Sequence, residues 1–119
     1  MNDKISITAI ASISALGDSL EDTWKGYLED GHCFEERDFD NSKTWIGPLP
    51  QNVKQKIQQL KESNSRYKNL DDSVLYAVLV SRTAVGEAGW NAQDNFGINI
   101  GSSRGATMLF EKYHETYLQ

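Results

Sequence analysis

The sequence has very little cysteine and a shortage of positive charge, and both shortages exclude classes of protein. Its single cysteine, Cys33, rules out a disulfide within the chain, which fits a reducing cytoplasm. Its 12 Lys and Arg stand against 17 Asp and Glu, which gives a net charge of −5. Binding to phosphate backbones without sequence preference needs clustered cations. We therefore predict a cytoplasmic protein with no nucleic-acid partner.

Long apolar runs are also missing. No stretch approaches the roughly 20 apolar residues that a membrane-spanning helix needs. The opening residues, MNDKISITAIASISALG, lack the basic region and the unbroken apolar run of a signal peptide. We therefore expect a soluble protein with no membrane partner.

What the sequence does contain is an alternation of strand-like and helix-like segments, which is typical of an α/β protein. Residues 5–13 are rich in Ile and Ala, as in a strand that is buried on both faces. Asp18 or Ser19 can then cap a helix, and Gly31 can stop it. The apolar face of this helix comprises Leu20, Trp24, Tyr27 and Leu28.

The middle of the chain is its most polar part. Residues 32–42 are charged and irregular, which favours a surface loop, and residues 44–49 favour a short edge strand. A helix follows in which only a thin apolar stripe is present, formed by Val53, Ile57 and Leu60. Because the rest of this helix is Lys, Gln and Glu, we predict that it lies on the surface.

The helix predicted for residues 70–88, LDDSVLYAVLVSRTAVGEA, is apolar on all sides. A helix of this kind is normally buried in the middle of a larger structure. Asn69 or Asp71 can cap its start, and Gly89 can end it. Gly86 indicates close packing, because Gly costs about 1 kcal/mol relative to Ala within a helix. These features predict a central buried helix, which is difficult to cover with only two or three strands.

The last part of the chain continues the alternation. Residues 96–100 favour a second buried strand, the turn GSSRG follows at residues 101–105, and residues 106–119 have a helical pattern. The prediction for the whole chain is an α/β fold, with a mixed sheet around the central buried helix, in one domain or part of one.

Three segments carry a resemblance when they are taken together and in order: ITAIASISALGDSLEDTWKGYLEDG, LDDSVLYAVLVSRTAVGEAGW and GINIGSSRGATMLFEKY. They resemble the N-terminal portion of the β-ketoacyl-acyl carrier protein synthases, which are condensing enzymes of the thiolase-like superfamily. The first is similar to the family's opening strand, S-x-L-G turn and first Trp-containing helix. The second is similar to its long A-x-x-A-x-x-x-A-G helix, and the third to the following strand and G-S-x-x-G turn. Residues 32–68 match the family least.

The resemblance implies that residues 1–119 are the N-terminal part of a ketosynthase domain of thiolase-like fold, which continues beyond Gln119. The family's reaction is a decarboxylating Claisen condensation of acyl and malonyl thioesters in fatty acid or polyketide-type biosynthesis. Its partner is an acyl carrier protein, and the intact assembly would be a homodimer or a ketosynthase-like heterodimer. The chemistry uses a Cys at a strand-to-helix elbow with two His, or a His and an Asn. None of these motifs is present, so the resemblance implies no catalytic residue, no cofactor and no activity in this chain alone.

The turn at residues 101–105 supplies the predicted substrate-binding residues Ser102, Ser103 and Arg104. Many family members have Gly or an apolar residue at the position of Arg104, which lies at the acyl pocket in members that accept long acyl chains. A fixed cation there disfavours a long apolar tail, because burying an unpaired charge is costly. We therefore expect a specialised condensing enzyme or a non-catalytic relative. Two other interpretations of the turn are a backbone that needs Gly and an anion site at the start of a helix.

Other candidate residues favour ordinary roles. Cys33 and its neighbour His32 lie in a predicted loop with no elbow, so we expect an unreactive thiol. His114, alone in the last helix, is expected to be solvated or packed. The basic residues of the middle segment are expected to form a solvated face or, alternatively, a docking patch for an acidic carrier protein. They are Lys54, Lys56, Lys61, Arg66 and Lys68.

Two alternatives exist for the whole protein. One is a catalytically silent ketosynthase-like partner, which shapes a pocket in a heterodimer. The other is a free-standing α/β ligand-binding module. The sequence after Gln119 separates the enzyme from the silent partner, whereas the module alone predicts a chain that folds cooperatively as a monomer.

Overall fold

The computed structural model describes residues 5–118, which form a small mixed α/β arrangement. Within these residues there are four helices and one two-stranded antiparallel sheet. In chain order the elements are α1 (Leu20–Leu28), β1 (Glu35–Phe39), β2 (Ser42–Ile46), α2 (Gln51–Glu62), α3 (Asp72–Glu87) and α4 (Thr107–Leu118).

Helix α1 confirms the first predicted helix. Ser19 caps it, because its Oγ accepts the Asp22 N–H at 3.0 Å, and the acidic side chains of Glu21 and Asp22 lie at the positive end of the helix. The helix ends at Leu28, three residues before Gly31. Its predicted apolar face is present but uncovered, since no residue of α1 is buried.

The prediction of a loop over residues 32–42 is wrong. β1 and β2 form a hairpin in register Glu35 to Ile46 and Phe39 to Ser42. The two-residue connection is Asp40-Asn41, and both residues have positive φ, at 43° and 78°. Asp and Asn tolerate this left-handed conformation, which matches the twist of a hairpin. The predicted edge strand is confirmed only in part, because β2 begins earlier and ends at Ile46.

The core lies between α2 and α3, which pack on each other. The apolar stripe of α2 is buried, and Leu75 of α3 is 0% exposed. The prediction of a surface helix with a thin apolar stripe is therefore confirmed for α2: the stripe supplies most of the buried residues, and the polar face is exposed. Around this centre lie partly buried side chains, namely Tyr67, Leu70, Tyr76, Val78 and Leu79.

Helix α3 confirms the predicted long helix and both of its end signals. Asp71 is the N-cap, with its carboxylate accepting the Ser73 N–H at 3.1 Å. At the other end Gly89 has φ 71°, and the Trp90 N–H donates to the Val85 carbonyl at 3.1 Å. The Gly89 N–H donates to Gly86, which completes a Schellman motif that only Gly adopts without steric cost.

The prediction that α3 is buried on all sides is wrong within residues 5–118. Leu75 is its one buried residue, because α2 is the only helix or strand among residues 5–118 that packs against it. A Cβ added at Gly86 would meet nothing within 4 Å, so the close packing expected there is absent as well.

The two predicted buried strands are not formed. Residues 5–13 and 96–100 have no strand partner, and most of their Ile side chains are exposed, with Ile5 at 96% and Ile98 at 76%. A strand exists only where a neighbour pairs with its backbone, and the described residues offer none. The predicted mixed sheet is therefore absent from residues 5–118, where the hairpin is the only sheet. Helix α4 agrees with the predicted last helix up to Leu118; Gln119 lies outside the described residues.

The chain is far more extended than its size requires. Its radius of gyration is 17.9 Å, whereas a compact domain of this length has about 13.5 Å. Its accessible surface is 10391 Å², whereas a folded monomer of this mass exposes about 6,500 Å². Much of the excess surface is apolar, on α1, α4 and the two unpaired segments.

Candidate functional site

A large apolar cavity lies between α3 and the extended segment that leads to α4. We call it the α3 groove. It has a volume of about 750 Å³, within the range of about 300–1,000 Å³ that is usual for ligand pockets. Its apolar walls include Val74, Val78, Val85, Phe96, Ile98 and Ile100. Arg82 is the only ionisable side chain among its lining residues.

One end of the α3 groove is closed by a pair of aromatic rings. The Schellman motif after α3 reverses the chain at Gly89, and Trp90 then stacks on Phe96. The ring centroids are 4.9 Å apart, with an angle of 30° between the ring planes. This stack holds the start of the extended segment near the end of α3.

The predicted substrate-binding turn lies at the other end of the groove. The Ser102 Oγ accepts the Gly105 N–H at 2.9 Å, and Gly105 has φ 65°. Gly105 therefore supplies the positive φ that this turn requires, which agrees with one of the three interpretations of the turn, namely a backbone that needs Gly. Ser102 and Gly105 both line the α3 groove.

The structure separates the three predicted substrate residues. Ser102 lines the α3 groove, whereas Ser103 and Arg104 do not. Both are exposed, and within residues 5–118 neither side chain makes a hydrogen bond or ion pair. The role of Arg104 in substrate binding stays a prediction.

Asp71 connects the start of α4, which follows the 101–105 turn, to the start of α3. One carboxylate oxygen accepts from the Ser73 N–H and hydroxyl, at 3.1 and 3.0 Å. The other accepts the Met108 N–H at 3.0 Å, across 37 residues of sequence. The Ser73 N–H lowers the pKa of Asp71 most; burial opposes this, and the Ser73 hydroxyl and the N–H groups of Met108 and Leu109 lower it further. Sequence reasoning identified the cap on α3 but missed the link to α4, for which no local pattern exists.

The other sequence candidates lie apart from the α3 groove. His32 packs near Phe34 and Trp45 on the hairpin, with ring centroids 6.0 and 6.1 Å apart. Cys33 beside it is a partly buried free thiol. His114 stacks on Phe110 within α4. None of His32, Cys33 and His114 is among the residues that line the α3 groove.

The basic residues of the middle segment are partly used within the chain. Lys56 forms an ion pair with Asp18, and Lys61 approaches Asp72 at 3.5 Å. These pairs hold α2 to the residues before α1 and to the start of α3. They leave Lys54, Arg66 and Lys68 as the members without an ion pair among the described residues.

A second cavity, of about 660 Å³, lies on another part of α3. It is formed by the unpaired segment around residues 7–12, the start of α1, and Thr83 and Glu87 of α3. Each unpaired apolar segment is therefore separated from α3 by a cavity. Residues 96–100 line the α3 groove, and residues 7–12 line the second cavity.

No protein-family model matches this chain, and neither does any curated protein or solved structure. None of the helices among residues 5–118 is long and apolar enough to cross a membrane. In the same residues no three His, Cys, Asp or Glu side chains come together as ligands for one metal ion.

Proposed function

We propose that this chain is the N-terminal part of a cytoplasmic β-ketoacyl-acyl carrier protein synthase, and that further polypeptide completes a thiolase-like domain around it. The completed enzyme would join acyl and malonyl thioesters by decarboxylating Claisen condensation, with an acyl carrier protein as partner. Its catalytic Cys and His residues would come from that further polypeptide, so the chain alone would be inactive.

The observation that carries this proposal is the state of α3. Its sequence is apolar on all sides, yet among residues 5–118 only α2 packs on it. Such a helix is stable when other elements cover the remaining sides. The resemblance of three ordered segments to the family predicts such a central helix, between layers that the described residues do not contain.

The two unpaired segments support the same proposal. Residues 5–13 and 96–100 are rich in β-branched residues, and their apolar side chains face solvent. Exposed apolar segments with free backbone edges recruit other strands. Both segments lie beside α3, where strands of a completed sheet would pair with them.

A second candidate is a catalytically silent ketosynthase-like subunit, which shapes the pocket of an active partner in a heterodimer. Arg104 favours it, because this exposed cation replaces a small or apolar residue of the family's acyl pocket. Under this alternative the protein would bind an acyl carrier protein or a catalytic partner without condensing thioesters.

The test compares the 119-residue chain with a longer product of the same reading frame. For the chain alone we expect a broad thermal transition, binding of a hydrophobic dye and oligomers in size-exclusion chromatography. A sharp transition in a monodisperse monomer would overturn the proposal and favour a free-standing ligand-binding module.

The longer product separates the enzyme from the silent subunit. The enzyme predicts an elbow Cys, two later His or a His and an Asn, and release of carbon dioxide from a malonyl thioester in the presence of an acyl thioester. Substitution of that Cys by Ala should abolish condensation. A reading frame without these residues, and a product that binds a carrier protein but releases no carbon dioxide, would identify the silent subunit.

A further inference from the structure

The carboxylate of Asp71 lies where two helices begin. Its Oδ1 accepts from Ser73 in the first turn of α3, and its Oδ2 accepts from Met108 in the first turn of α4. One side chain thereby satisfies backbone donors at two helix N-termini, which otherwise have no partner within their own helices.

Among residues 5–118, this carboxylate makes the only side-chain hydrogen bond between α4 and the elements before it. Neither the other helices nor the hairpin packs on α4. The remaining hydrogen bonds at its start, from Thr107 to Gly105 and from Phe110 to Ala106, are local. A helix of 12 residues is marginal in water without tertiary support. The position of α4 relative to α3 therefore depends on Asp71.

We infer that Asp71 acts as a clasp, which holds α4 and the 101–105 turn against the start of α3 and opens the α3 groove when it is released. The groove is bounded by α3 and by the segment that runs from Phe96 into this turn. The Trp90–Phe96 stack holds one end of that segment, and the clasp holds the other. Release of Asp71 leaves the segment anchored at the aromatic end alone. This inference goes beyond the proposed function, because it concerns how Asp71 holds α4 and one wall of the groove, and it does not depend on which reaction the protein takes part in.

The clasp needs a carboxylate. Each helix start carries a partial positive charge, which a negative side chain stabilises, and a carboxylate has an acceptor oxygen for each helix. The other charged and titratable groups near the clasp are Asp72 and Tyr76 of α3 and Lys61 of α2. Lys61 approaches Asp72, whereas Ser73 and α4 are the hydrogen-bond partners of Asp71.

Asp71→Asn tests the clasp with little disturbance of α3. Asn is a good helix cap, and its single amide oxygen can replace the oxygen that accepts from Ser73. Its NH2 group then faces the Met108 N–H, so two donors oppose each other. We expect amide hydrogen exchange at Met108 and Leu109 to become about tenfold faster, as for the loss of a charge-assisted hydrogen bond. Exchange at Leu60 and Leu75 should stay within twofold of the wild type.

Two further variants make the outcome decisive. Ser73→Ala removes a hydroxyl donor to Asp71 but leaves the contact with Met108, so exchange in α4 should not change. Asp71→Ala removes both acceptors and should expose Met108 and Leu109 at least as much as Asp71→Asn does. Unchanged exchange at Met108 in Asp71→Asn, with Leu60 and Leu75 still protected, would overturn the inference. Equal acceleration at all four amides would show a general loss of fold, and would overturn it too.

Discussion

The guanidinium of Arg82 on α3 donates a hydrogen bond from Nη2 to the hydroxyl of Tyr67, at 2.9 Å. Its Cζ lies 5.5 Å from the centroid of the same ring. Tyr67 belongs to the segment between α2 and α3, and its ring packs against the buried cluster. The contact therefore fastens this connection to the second half of α3.

Tyr67→Phe should remove the hydrogen bond and keep the ring in place. We expect the midpoint of urea unfolding to fall, because an ordinary hydrogen bond contributes about 0.5–1 kcal/mol net. The matched control is Tyr27→Phe on the exposed face of α1, where no hydrogen bond is lost and we expect no change. Urea titration followed by circular dichroism measures both, and equal effects at the two positions would contradict the prediction.

Two glycines three residues apart should respond to alanine with opposite signs. Gly89 has φ 71°, where an L-residue costs about 1–2 kcal/mol, so Gly89→Ala should destabilise the chain. Gly86 is helical, and a Cβ there would meet nothing within 4 Å, so Gly86→Ala should stabilise it by about 1 kcal/mol. The midpoints of urea unfolding give both signs.

The same Gly86→Ala substitution also tests the proposed completion of the domain. If further layers cover α3, the added methyl group will meet close neighbours in the complete protein, and the substitution will destabilise it. A stabilising effect in both the 119-residue chain and the complete protein would argue against a covered α3 at this position.

The stability that Asp71 provides should depend on pH. Its pKa lies below the ordinary value of 3.8, chiefly because the Ser73 N–H donates to the charged carboxylate. A lowered pKa in the folded state means that this stabilisation is complete above the unfolded-state pKa and is lost as pH falls through the folded-state pKa. The difference in unfolding free energy between wild type and Asp71→Asn should therefore shrink below pH 3.8. Glu115→Gln on α4 is the control, and a difference that is constant with pH would refute the prediction.

Arg104→Ile should extend the range of acyl chains that the proposed condensing enzyme accepts. The reason is that an apolar side chain removes a charge that a long alkyl tail would otherwise have to pass. Arg104→Lys is the matched control, since it keeps the charge and should keep the wild-type product profile. Mass spectrometry of the condensation products measures the chain lengths, and an identical profile for Ile and wild type would exclude this role for Arg104.

The parts of the fold that were predictable are those with local causes. Ser19 and Asp71 cap helices through atoms two or three residues away, and Gly89 ends α3 through its own backbone conformation. The hairpin was not predicted, because its many charged residues favoured a surface loop. Its two-residue turn could have indicated it, since Asp40 and Asn41 are residue types that tolerate the positive φ of such a turn.

The sequence alone determined where most helices begin and end, and it determined the apolar character of α3 and of the two strand-like segments. Only the tertiary structure decided which apolar residues are buried: Ile57 and Leu60 are, because Leu75 of α3 packs with them, whereas most of α3 is not. Only the tertiary structure brought Asp71 to Met108. The physical reason is that caps and turns depend on neighbouring residues, whereas burial and strand pairing depend on surfaces that are distant in sequence.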